Sequence, residues 1–420
     1  MSNYNFFERK LAGVLSKFPA LKGEVKKLYQ KLNYLFYKKK YLSKTDFKIT
    51  RLDNSSDSSF FGYYDKSPIN SSNEYVIFQS TNLDTSHMPN ALSPIELILF
   101  NLASGEKIVI DQVYSYNWQQ GCKLMWLSKD RFIYNNYDSE KSCYVSKVYD
   151  VYNGFVKTIE QPIYDCYKED FALTLNFERL NIGRGDYAYN NNNVEIDWID
   201  NTNDGLFYVD LCTGSSKLLV TISQAISLNR QQSMENARHK FNHIMISPDG
   251  SKVMFMHRWF TDDNRRFDAL LICNVDGSDL KLVANDGMVS HCYWFDNDSI
   301  FAYLRDATLG DKYFLLNIYS LDKSEVGSGI IDKFGDGHPS VFGSNILFDT
   351  YPNKSRMKQL LLFDVSSNEL RELGEFHESF DFYAETRCDL HPRFSLDGKK
   401  VFFDSVHEGK RGLYMLELNS

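Results

Sequence analysis

The stretch N-H-I-M-I-S-P-D-G-S-K-V-M-F-M-H-R, residues 242–258, holds two apolar strands separated by the turn S-P-D-G. A third apolar strand, Ala269–Asn274, follows, and the turn Asp276-Gly277 leads to a fourth strand at Leu280–Val283. Asp-Gly favours tight hairpin turns because both central positions of such turns need positive φ. The stretch therefore predicts one unit of four antiparallel strands.

The same alternation of strands and turns recurs along the chain from about residue 45. Units of roughly 40–50 residues with about four strands each are typical of β-propellers. Besides the unit above, we predict units at Tyr75–Ser80, Ile95–Asn101 and Lys107–Asp111; at Arg131–Asn136, Tyr144–Tyr152 and Val156–Gln161; at Ala172–Phe177, Gly205–Asp210 and Ser216–Thr221; and within His291–Val326, His338–Leu373 and His391–Leu418.

The predicted fold class is therefore all-β: a seven-bladed β-propeller over residues 45–420, preceded by a short helical extension over residues 1–44. The last predicted strand, Gly412–Leu418, lies at the end of the sequence, and Phe47–Leu52 could add an outer strand beside it. That pairing would close the ring and remove open sheet edges.

Residues 1–44 show a helical pattern instead, with apolar residues at helical spacing and lysines between them. The apolar positions are Leu21, Val25, Leu28, Leu32 and Phe36, and Phe7, Leu11, Val14 and Phe18 predict an earlier turn or two that ends at Pro19. The segment carries 11 Lys/Arg against two Glu, a charge of +9. It is either a helical arm packed on the propeller or a partner, or a basic amphipathic helix lying on an anionic membrane.

The overall charge argues against a nucleic-acid partner. The formal net charge is −8, so with +9 in the extension the remaining residues sum to −17. An acidic body does not attract DNA through its field, although a local cluster of arginines can still hold an anionic sugar.

Seven cysteines are scattered singly without a C-x-x-C pair, which favours a reducing compartment over a disulfide framework. No apolar run followed by a small-residue cleavage site stands near the first residue, and no stretch approaches the ~20 apolar residues of a membrane span. We therefore predict a cytoplasmic protein without a signal peptide, with peripheral contact at the inner face of the membrane as the option offered by residues 1–44.

Four of the nine histidines, His243, His291, His338 and His391, fall just before or at the first strand of four successive units. First strands line the central channel of a propeller, so we expect these side chains to converge near one axis. They form either a functional cluster or structural bridges between blades. Three or four histidines with an open position can bind a divalent metal, and we predict His291, His338 and His391 as its ligands.

Arginines at strand ends form a second candidate set, because a guanidinium is the natural bidentate partner of a substrate carboxylate. Each arginine could equally form an ion pair between blades. We predict catalytic roles for Arg258 and Arg387 and substrate binding by Arg179, Arg266 and Arg305.

A third set lies where the first two units begin. Tyr64 and Lys66, in the stretch F-F-G-Y-Y-D-K-S-P, are predicted to bind substrate by stacking and by charge, with a core and turn role as the alternative. Gln120, in W-Q-Q-G, is predicted to place an amide near the axis. The sequence lacks G-x-G-x-x-G, Walker, H-E-x-x-H and G-x-S-x-G motifs.

The segments N-H-x-x-x-S-P-D-G (242–250), H-R-W (257–259) and S-H-C-Y-W (290–294) resemble those of the oligogalacturonate lyase family, mainly over residues 240–420. The resemblance implies a seven-bladed propeller with a manganese-type metal held by His and Gln, and a basic residue that removes the C5 proton of a uronate. It also implies that His243 is a substrate-binding or catalytic histidine and that His291 is a metal ligand.

The chain departs from that family at two places. The family has a Gln/His/His cluster in its last blade, whereas residues 385–392 read E-T-R-C-D-L-H-P with one histidine, and Arg258 replaces an acidic residue. The segments F-G-Y-Y-D-K-S-P, L-N-F-x-R-L and R-C-D-L-H-P-R resemble those of proteins from bacterial surface-polysaccharide gene clusters. The chain is thus similar to a divergent branch.

Two functions follow from these patterns. The first is a lyase in which arginine and metal neutralise a uronate carboxylate, His243 removes the C5 proton, and the glycosidic bond leaves by β-elimination. Its partner is an acidic oligosaccharide or polysaccharide, and its cofactor a divalent metal, Mn²⁺ by resemblance. The second is a non-catalytic propeller that binds or scaffolds glycan-assembly proteins. A pocket of convergent His and Arg favours the first function, and a large exposed apolar patch together with a channel plugged by side chains favours the second.

Overall fold

A computed structural model describes residues 19–53, 57–181, 185–192 and 196–418. Within these ranges the chain has two α-helices, α1 (Pro19–Tyr37) and α2 (Ile222–Leu228), and 29 β-strands, β1–β29. None of the described helices combines the length and the hydropathy that a membrane crossing requires.

The strands form seven sheets arranged as blades, each antiparallel and ordered outward from its first strand. Blade 1 is β3 (Ser58–Phe60), β4 (Tyr75–Thr81), β5 (Ile95–Asn101) and β6 (Lys107–Val113); blade 2 is β7 (Met125–Trp126), β8 (Arg131–Asp138), β9 (Cys143–Asp150) and β10 (Gly154–Ile159); blade 3 is β11 (Asp165–Tyr167), β12 (Phe171–Thr174), β13 (Gly205–Asp210) and β14 (Ser216–Thr221).

Blade 4 is β15 (Arg238–Ile246), β16 (Lys252–Phe260), β17 (Arg266–Asn274) and β18 (Lys281–Ala284); blade 5 is β19 (Val289–Trp294), β20 (Ser299–Asp306), β21 (Gly310–Asn317) and β22 (Lys323–Glu325); blade 6 is β23 (Ser340–Phe342), β24 (Asn345–Asp349), β25 (Met357–Asp364) and β26 (Glu369–His377); blade 7 is β27 (Arg393–Phe394), β28 (Lys400–Ser405) and β29 (Gly412–Glu417). The predicted seven-bladed, all-β class is confirmed.

Two strands from the start of the propeller complete the last two blades. Strand β2 (Ile49–Arg51) pairs antiparallel with β29, with Ile49 opposite Leu416, which is the predicted ring closure. Strand β1 (Ser43–Lys44) adds a fifth strand to blade 6, with Ser43 opposite Phe376. We placed Ser43 and Lys44 in the extension from the sequence, whereas in the structure they pair with the propeller.

The hydrophobic core lies between neighbouring blades. One buried cluster joins Met254 and Leu270 of blade 4 to Ile300 and Phe314 of blade 5. Removing such a side chain from water contributes about 1.5–3 kcal/mol. Packing of this kind holds each inner strand at a fixed distance from the axis.

Helix α1 includes all five apolar positions that predicted it, and it packs on the propeller through Tyr34, whose ring lies 5.6 Å from His377 and 5.5 Å from Phe380. The earlier helical turn predicted from Phe7, Leu11, Val14 and Phe18 lies outside the described residues.

The two added strands predict how far the chain can be shortened. A variant that begins at Lys39 keeps β1 and β2, together with the Lys39–Glu375 ion pair of 2.7 Å, and should unfold cooperatively. A variant that begins at Asp53 exposes the edges of β26 and β29 and should aggregate, because unpaired strand edges associate. Thermal unfolding and size-exclusion chromatography of both variants measure the difference, and equal solubility and cooperativity would contradict the closure.

Candidate functional site

Two of the four histidines stand on β-bulges of inner strands. The pairing of β15 with β16 shifts register between Asn242 and Met245, and that of β19 with β20 shifts between Val289 and Cys292. A bulge re-aims the side chain that it carries. His243, with φ of 53°, and His291 are thereby directed to the ring axis, where their ring centroids lie 6.0 Å apart.

The other two histidines precede the inner strands of blades 6 and 7 and share one carboxylate. The backbone N–H of His338 donates to Oδ1 of Asp349 (2.8 Å), and the backbone N–H of His391 donates to Oδ2 (3.1 Å). Asp349 also bonds Nδ1 of His338 at 2.9 Å. Its carboxylate therefore fixes both histidines and joins blade 6 to blade 7.

The structure brings all four predicted histidines together. Ring centroids of His291 and His338 are 4.1 Å apart, and those of His338 and His391 are 4.3 Å apart. Tyr63 completes the group, because its ring lies 5.4 Å from His243 and 4.9 Å from His391. The roles predicted for these histidines are not tested by their placement and stay predictions.

Gly62 allows Tyr63 to reach this position. It has φ of 123°, and a Cβ at this residue would lie 2.7 Å from the carbonyl carbon of Gln120, so any other residue would collide with blade 2. Its carbonyl oxygen accepts a hydrogen bond from Nδ1 of His391 (2.9 Å). The backbone thus passes between blades 2 and 7 and delivers Tyr63 to the axis.

A group with the chemistry of a metal site lies among these side chains. Nε2 of His338, Nε2 of His391 and the carboxylate of Asp389 are buried, and the ligand atoms of these three residues lie within 4.8 Å of one another. Within the described part of the chain, both Nε2 atoms lack a hydrogen-bond partner, whereas both Nδ1 atoms are held, by Asp349 and by the Gly62 carbonyl. Hydrogen bonds at Nδ1 fix the orientation of a histidine that binds a metal through Nε2.

The charges around this group favour an ionised Asp389. Burial acts to raise its pKa, but the Arg387 guanidinium, whose Nε lies 2.5 Å from Oδ2, overcomes burial and the pKa is lowered. Burial lowers the pKa of His391, whereas for His338 the Asp349 charge outweighs burial and raises the pKa. His291 lies beside the group, with its Nδ1 3.0 Å from Oδ1 of Asp336.

Next to this group, His243 and Tyr63 form a hydrogen-bonded pair, with 2.5 Å between Nε2 and the phenol oxygen. Burial, assisted by the Arg258 charge, lowers the pKa of His243 well below its ordinary value. Burial likewise raises the pKa of Tyr63. Both groups are therefore neutral at pH 7, so the phenol donates and the imidazole is free to accept a proton.

Lys123 is a buried cation next to this pair. It begins blade 2 with φ of 54°, and its Nζ lies 3.5 Å from the ring centroid of Tyr164 and 5.7 Å from that of Tyr63. Burial lowers its pKa to about 8. Nζ of Lys123 and Oε1 of Gln120 have no hydrogen-bond partner among the described residues. A buried ammonium without an acceptor is costly, so this position favours an anionic ligand.

The arginines predicted near the site already have carboxylate partners. Arg258 pairs with Asp268, which also lies 3.3 Å from Nε of Arg266, and Arg387 pairs with Asp389. Arg258 and Arg387 still lie close enough to act electrostatically on His243 and His391, respectively.

Two other predicted arginines form no hydrogen bond or ion pair with the four predicted histidines within the described residues. Arg179 is buried and donates to Oδ2 of Asp204 (2.7 Å), to the carbonyl of His239 (3.0 Å) and to the carbonyl of Asp200 (2.9 Å), so it fixes the connection between β12 and β13. Arg305 is half-exposed and forms a two-point ion pair with Asp311 at 2.7 and 3.0 Å.

Tyr64 and Lys66 lie further along the channel, where they line a cavity of ≈ 240 Å³. The Tyr64 hydroxyl donates to the carbonyl of Cys292 (3.0 Å), so this ring is packed rather than open for stacking on a sugar. Nζ of Lys66 lies 3.0 Å from Asp65 and 3.0 Å from Asp165, which ties blade 1 to blade 3.

Four residues of the site were missed from the sequence: Tyr63, Lys123, Asp349 and Asp389. Tyr63 and Asp389 stood in the quoted segments F-F-G-Y-Y-D-K-S-P and R-C-D-L-H-P-R, and an acidic residue two positions before His391 was the available signal for Asp389. Lys123 gave no signal, because its lack of an acceptor is a property of the packed channel.

Lys66 forms buried ion pairs and Arg305 an exposed one, so replacing them should lower the free energy of unfolding by different amounts. Lys66→Met leaves two carboxylates without their cation and should lower the free energy of unfolding by roughly 3 kcal/mol. Arg305→Met removes an exposed ion pair and should cost less than about 1 kcal/mol. Denaturant unfolding of both variants and of Lys66→Arg, which keeps the charge, measures this, and equal losses for the two Met variants would contradict the bridge.

No protein-family model matches the chain, and no curated protein sequence matches it. Among solved structures, the chain is similar to an oligogalacturonate lyase from Vibrio parahaemolyticus, with a TM-score of 0.60 and 16% identity over 90% of this chain and 97% of that one. It is equally similar to an oligogalacturonate lyase in complex with manganese, with a TM-score of 0.60 and 16% identity over 91% of this chain and 96% of that one. The chain therefore shares the propeller fold of oligogalacturonate lyases, as its motifs predicted.

Proposed function

We propose that this protein is a lyase that cleaves a uronate-containing glycan by metal-assisted β-elimination, in the metabolism of a bacterial surface polysaccharide. The observation that carries the proposal is that the His338/Asp389/His391 group lies next to the neutral His243–Tyr63 pair, with the Tyr63 ring 4.9 Å from that of His391. A uronate needs its carboxylate neutralised and its C5 proton removed, and these two groups offer one means for each.

The residues of the first group fit a divalent metal. Two imidazole nitrogens that have no hydrogen-bond partner among the residues the structure describes, together with an ionised carboxylate, form a donor set that suits Mn²⁺ or Zn²⁺. His338, His391 and Asp389 would hold the ion, with His291 beside them. When bound, a divalent ion supplies positive charge that stabilises the negative charge developing on the substrate carboxylate.

The second group moves the proton. The phenol oxygen of Tyr63 accepts the C5 proton while its own proton passes to Nε2 of His243. The electron pair of the C5–H bond forms the C4–C5 double bond, and the bond from C4 to the glycosidic oxygen breaks with its electron pair on that oxygen. The oxygen takes a proton from solvent and leaves as a hydroxyl group, and His243 afterwards returns its proton to solvent. Burial keeps His243 unprotonated at neutral pH, so that it is available as the final acceptor.

Lys123 also binds the substrate carboxylate in this proposal. Its buried Nζ has no acceptor among the described residues and rests on Tyr164, next to Tyr63. Arg258 and Arg387 contribute charge without being free for bidentate binding, since each is paired with an aspartate.

A non-catalytic binding propeller is the second candidate, because one observation favours it. Tyr63 and Tyr64 cross the channel and are buried, as is each of the four histidines. A channel filled by side chains favours a binding or scaffolding role.

Seven cysteines without disulfides suit a reducing compartment for either function.

Metal binding gives one direct prediction. Mn²⁺ at about 100 times its dissociation constant should stabilise the protein by about 2.7 kcal/mol, seen as a rise in melting temperature. His338→Ala and His391→Ala should abolish this rise and the heat of binding in calorimetry. His257→Phe is the matched control, because His257 is a buried histidine paired with His239 outside the group. Equal binding by all variants, or none by the unaltered protein, would contradict the site.

Cleavage gives a second prediction. Incubation with oligouronides and Mn²⁺ should produce the ultraviolet absorbance of a 4,5-unsaturated product. His243→Ala should lower kcat by about 10²–10⁴, the usual contribution of a general base. Lys123→Met should mainly raise KM, and it should do so for the free acid but not for a methyl-esterified substrate.

Arg305→Met is the control for cleavage, because its exposed ion pair lies apart from the histidines and its activity should be unchanged. Binding of uronates without any unsaturated product would favour the scaffold function. A normal KM in Lys123→Met would remove Lys123 from the proposal and leave the His243–Tyr63 pair in place.

A further inference from the structure

Helix α1 has an apolar stripe that faces away from the propeller. Leu28, Leu32, Leu35 and Phe36 recur at helical spacing and are 60%, 48%, 63% and 84% exposed. An amphipathic helix of a globular protein ordinarily turns this face to the core. In α1 the residues that contact the propeller lie on another side of the helix, so within the described part of the chain the stripe stays exposed.

The inner side of α1 is fixed to two loops. Tyr34 packs on Phe380, and Nζ of Lys27 lies 4.8 Å from the ring centroid of Tyr383, both in the β26–β27 connection. Nζ of Lys354, in the β24–β25 connection, lies 5.7 Å from the Tyr37 ring. The helix is therefore held in one orientation while its stripe faces outward.

Basic residues flank the stripe. Lys31, Lys38 and Lys40 are exposed, and residues 1–44 together carry a charge of +9 on a protein whose remaining residues sum to −17. A helix with exposed Leu and Phe on one side and lysines beside them lies in the interface of an anionic bilayer. A partner protein would have to match both features, whereas an anionic lipid surface supplies both at once.

We propose that α1 docks the protein on an anionic membrane surface with the stripe Leu28, Leu32, Leu35 and Phe36 inserted among the lipids. The β26–β27 connection that holds α1 also carries Arg387, Asp389 and His391. Docking through α1 consequently sets this side of the site near the lipid surface. Resting on the proposed function, this identifies the substrate as an acidic glycan held at the membrane rather than free in solution.

The test is co-sedimentation of the full chain with vesicles. The protein should bind vesicles of phosphatidylcholine mixed with phosphatidylglycerol and not those of phosphatidylcholine alone. Leu35→Glu and Phe36→Glu should each weaken binding at least about tenfold, because each removes a large apolar side chain from the lipid. Charge reversal of Lys31, Lys38 and Lys40 should weaken it about fivefold per lysine or more, and added salt should have the same effect.

Ile199→Glu and Leu92→Glu are matched controls, since these side chains are 90% and 85% exposed elsewhere on the propeller and should leave binding unchanged. Melting temperatures of all variants should stay close to that of the unaltered protein. Absence of binding to anionic vesicles would overturn the proposal. The proposal would also be overturned if the unaltered protein were a dimer that dissociates in Leu35→Glu, or if that variant had a clearly lower melting temperature. Either result would show that protein covers the stripe.

These outcomes do not depend on catalysis. A chain that binds vesicles but produces no unsaturated product refutes the proposed lyase function and leaves the docking surface intact. A chain that cleaves oligouronides yet ignores vesicles refutes the docking surface alone.

Discussion

Closure of the ring is the constraint on which the site depends. The pairing of β2 with β29 fixes the last blade against the first, and seven inner strands are then held at one distance from a common axis. The four histidines come from four successive blades and lie at least 47 residues apart in sequence. The contacts between His243, His291, His338 and His391 therefore exist only because the ring has closed around them.

Alternating strands and Asp-Gly turns made most of the fold predictable. The three outer strands of blades 1, 2 and 3 were predicted, and their inner strands β3, β7 and β11 were missed. Those strands have two or three residues and no alternation, so their pairing comes from the neighbouring strand rather than from their own sequence. The fifth strand of blade 6 was missed for the same reason, because Ser43–Lys44 is too short to show a pattern.

The site residues likewise fall into those that the sequence predicted and those that it did not. The histidines could be predicted because they recur at one position of a repeating unit. The arginines illustrate what sequence leaves open: Arg258 stands directly opposite Asp268 in the β16–β17 register, and Arg305 stands opposite Asp311 in the β20–β21 register. Cross-strand pairs of opposite charge satisfy each other, and their register is known only once the strands are paired. Lys123 shows the reverse, since none of the residues that the structure describes accepts a hydrogen bond from its Nζ.

Asp349 links the closure of the ring to the assembly of the histidine group, because it lies at the boundary between blades 6 and 7. Blades 6 and 7 are the two blades to which β1 and β2 are added. The ring therefore closes at the same boundary where the Asp349 carboxylate holds His338 and His391. A ring that has not yet closed consequently has no assembled histidine group. Assembly of the candidate site is thereby conditional on completed folding, and a ligand that bound both histidines would stabilise the boundary between blades 6 and 7.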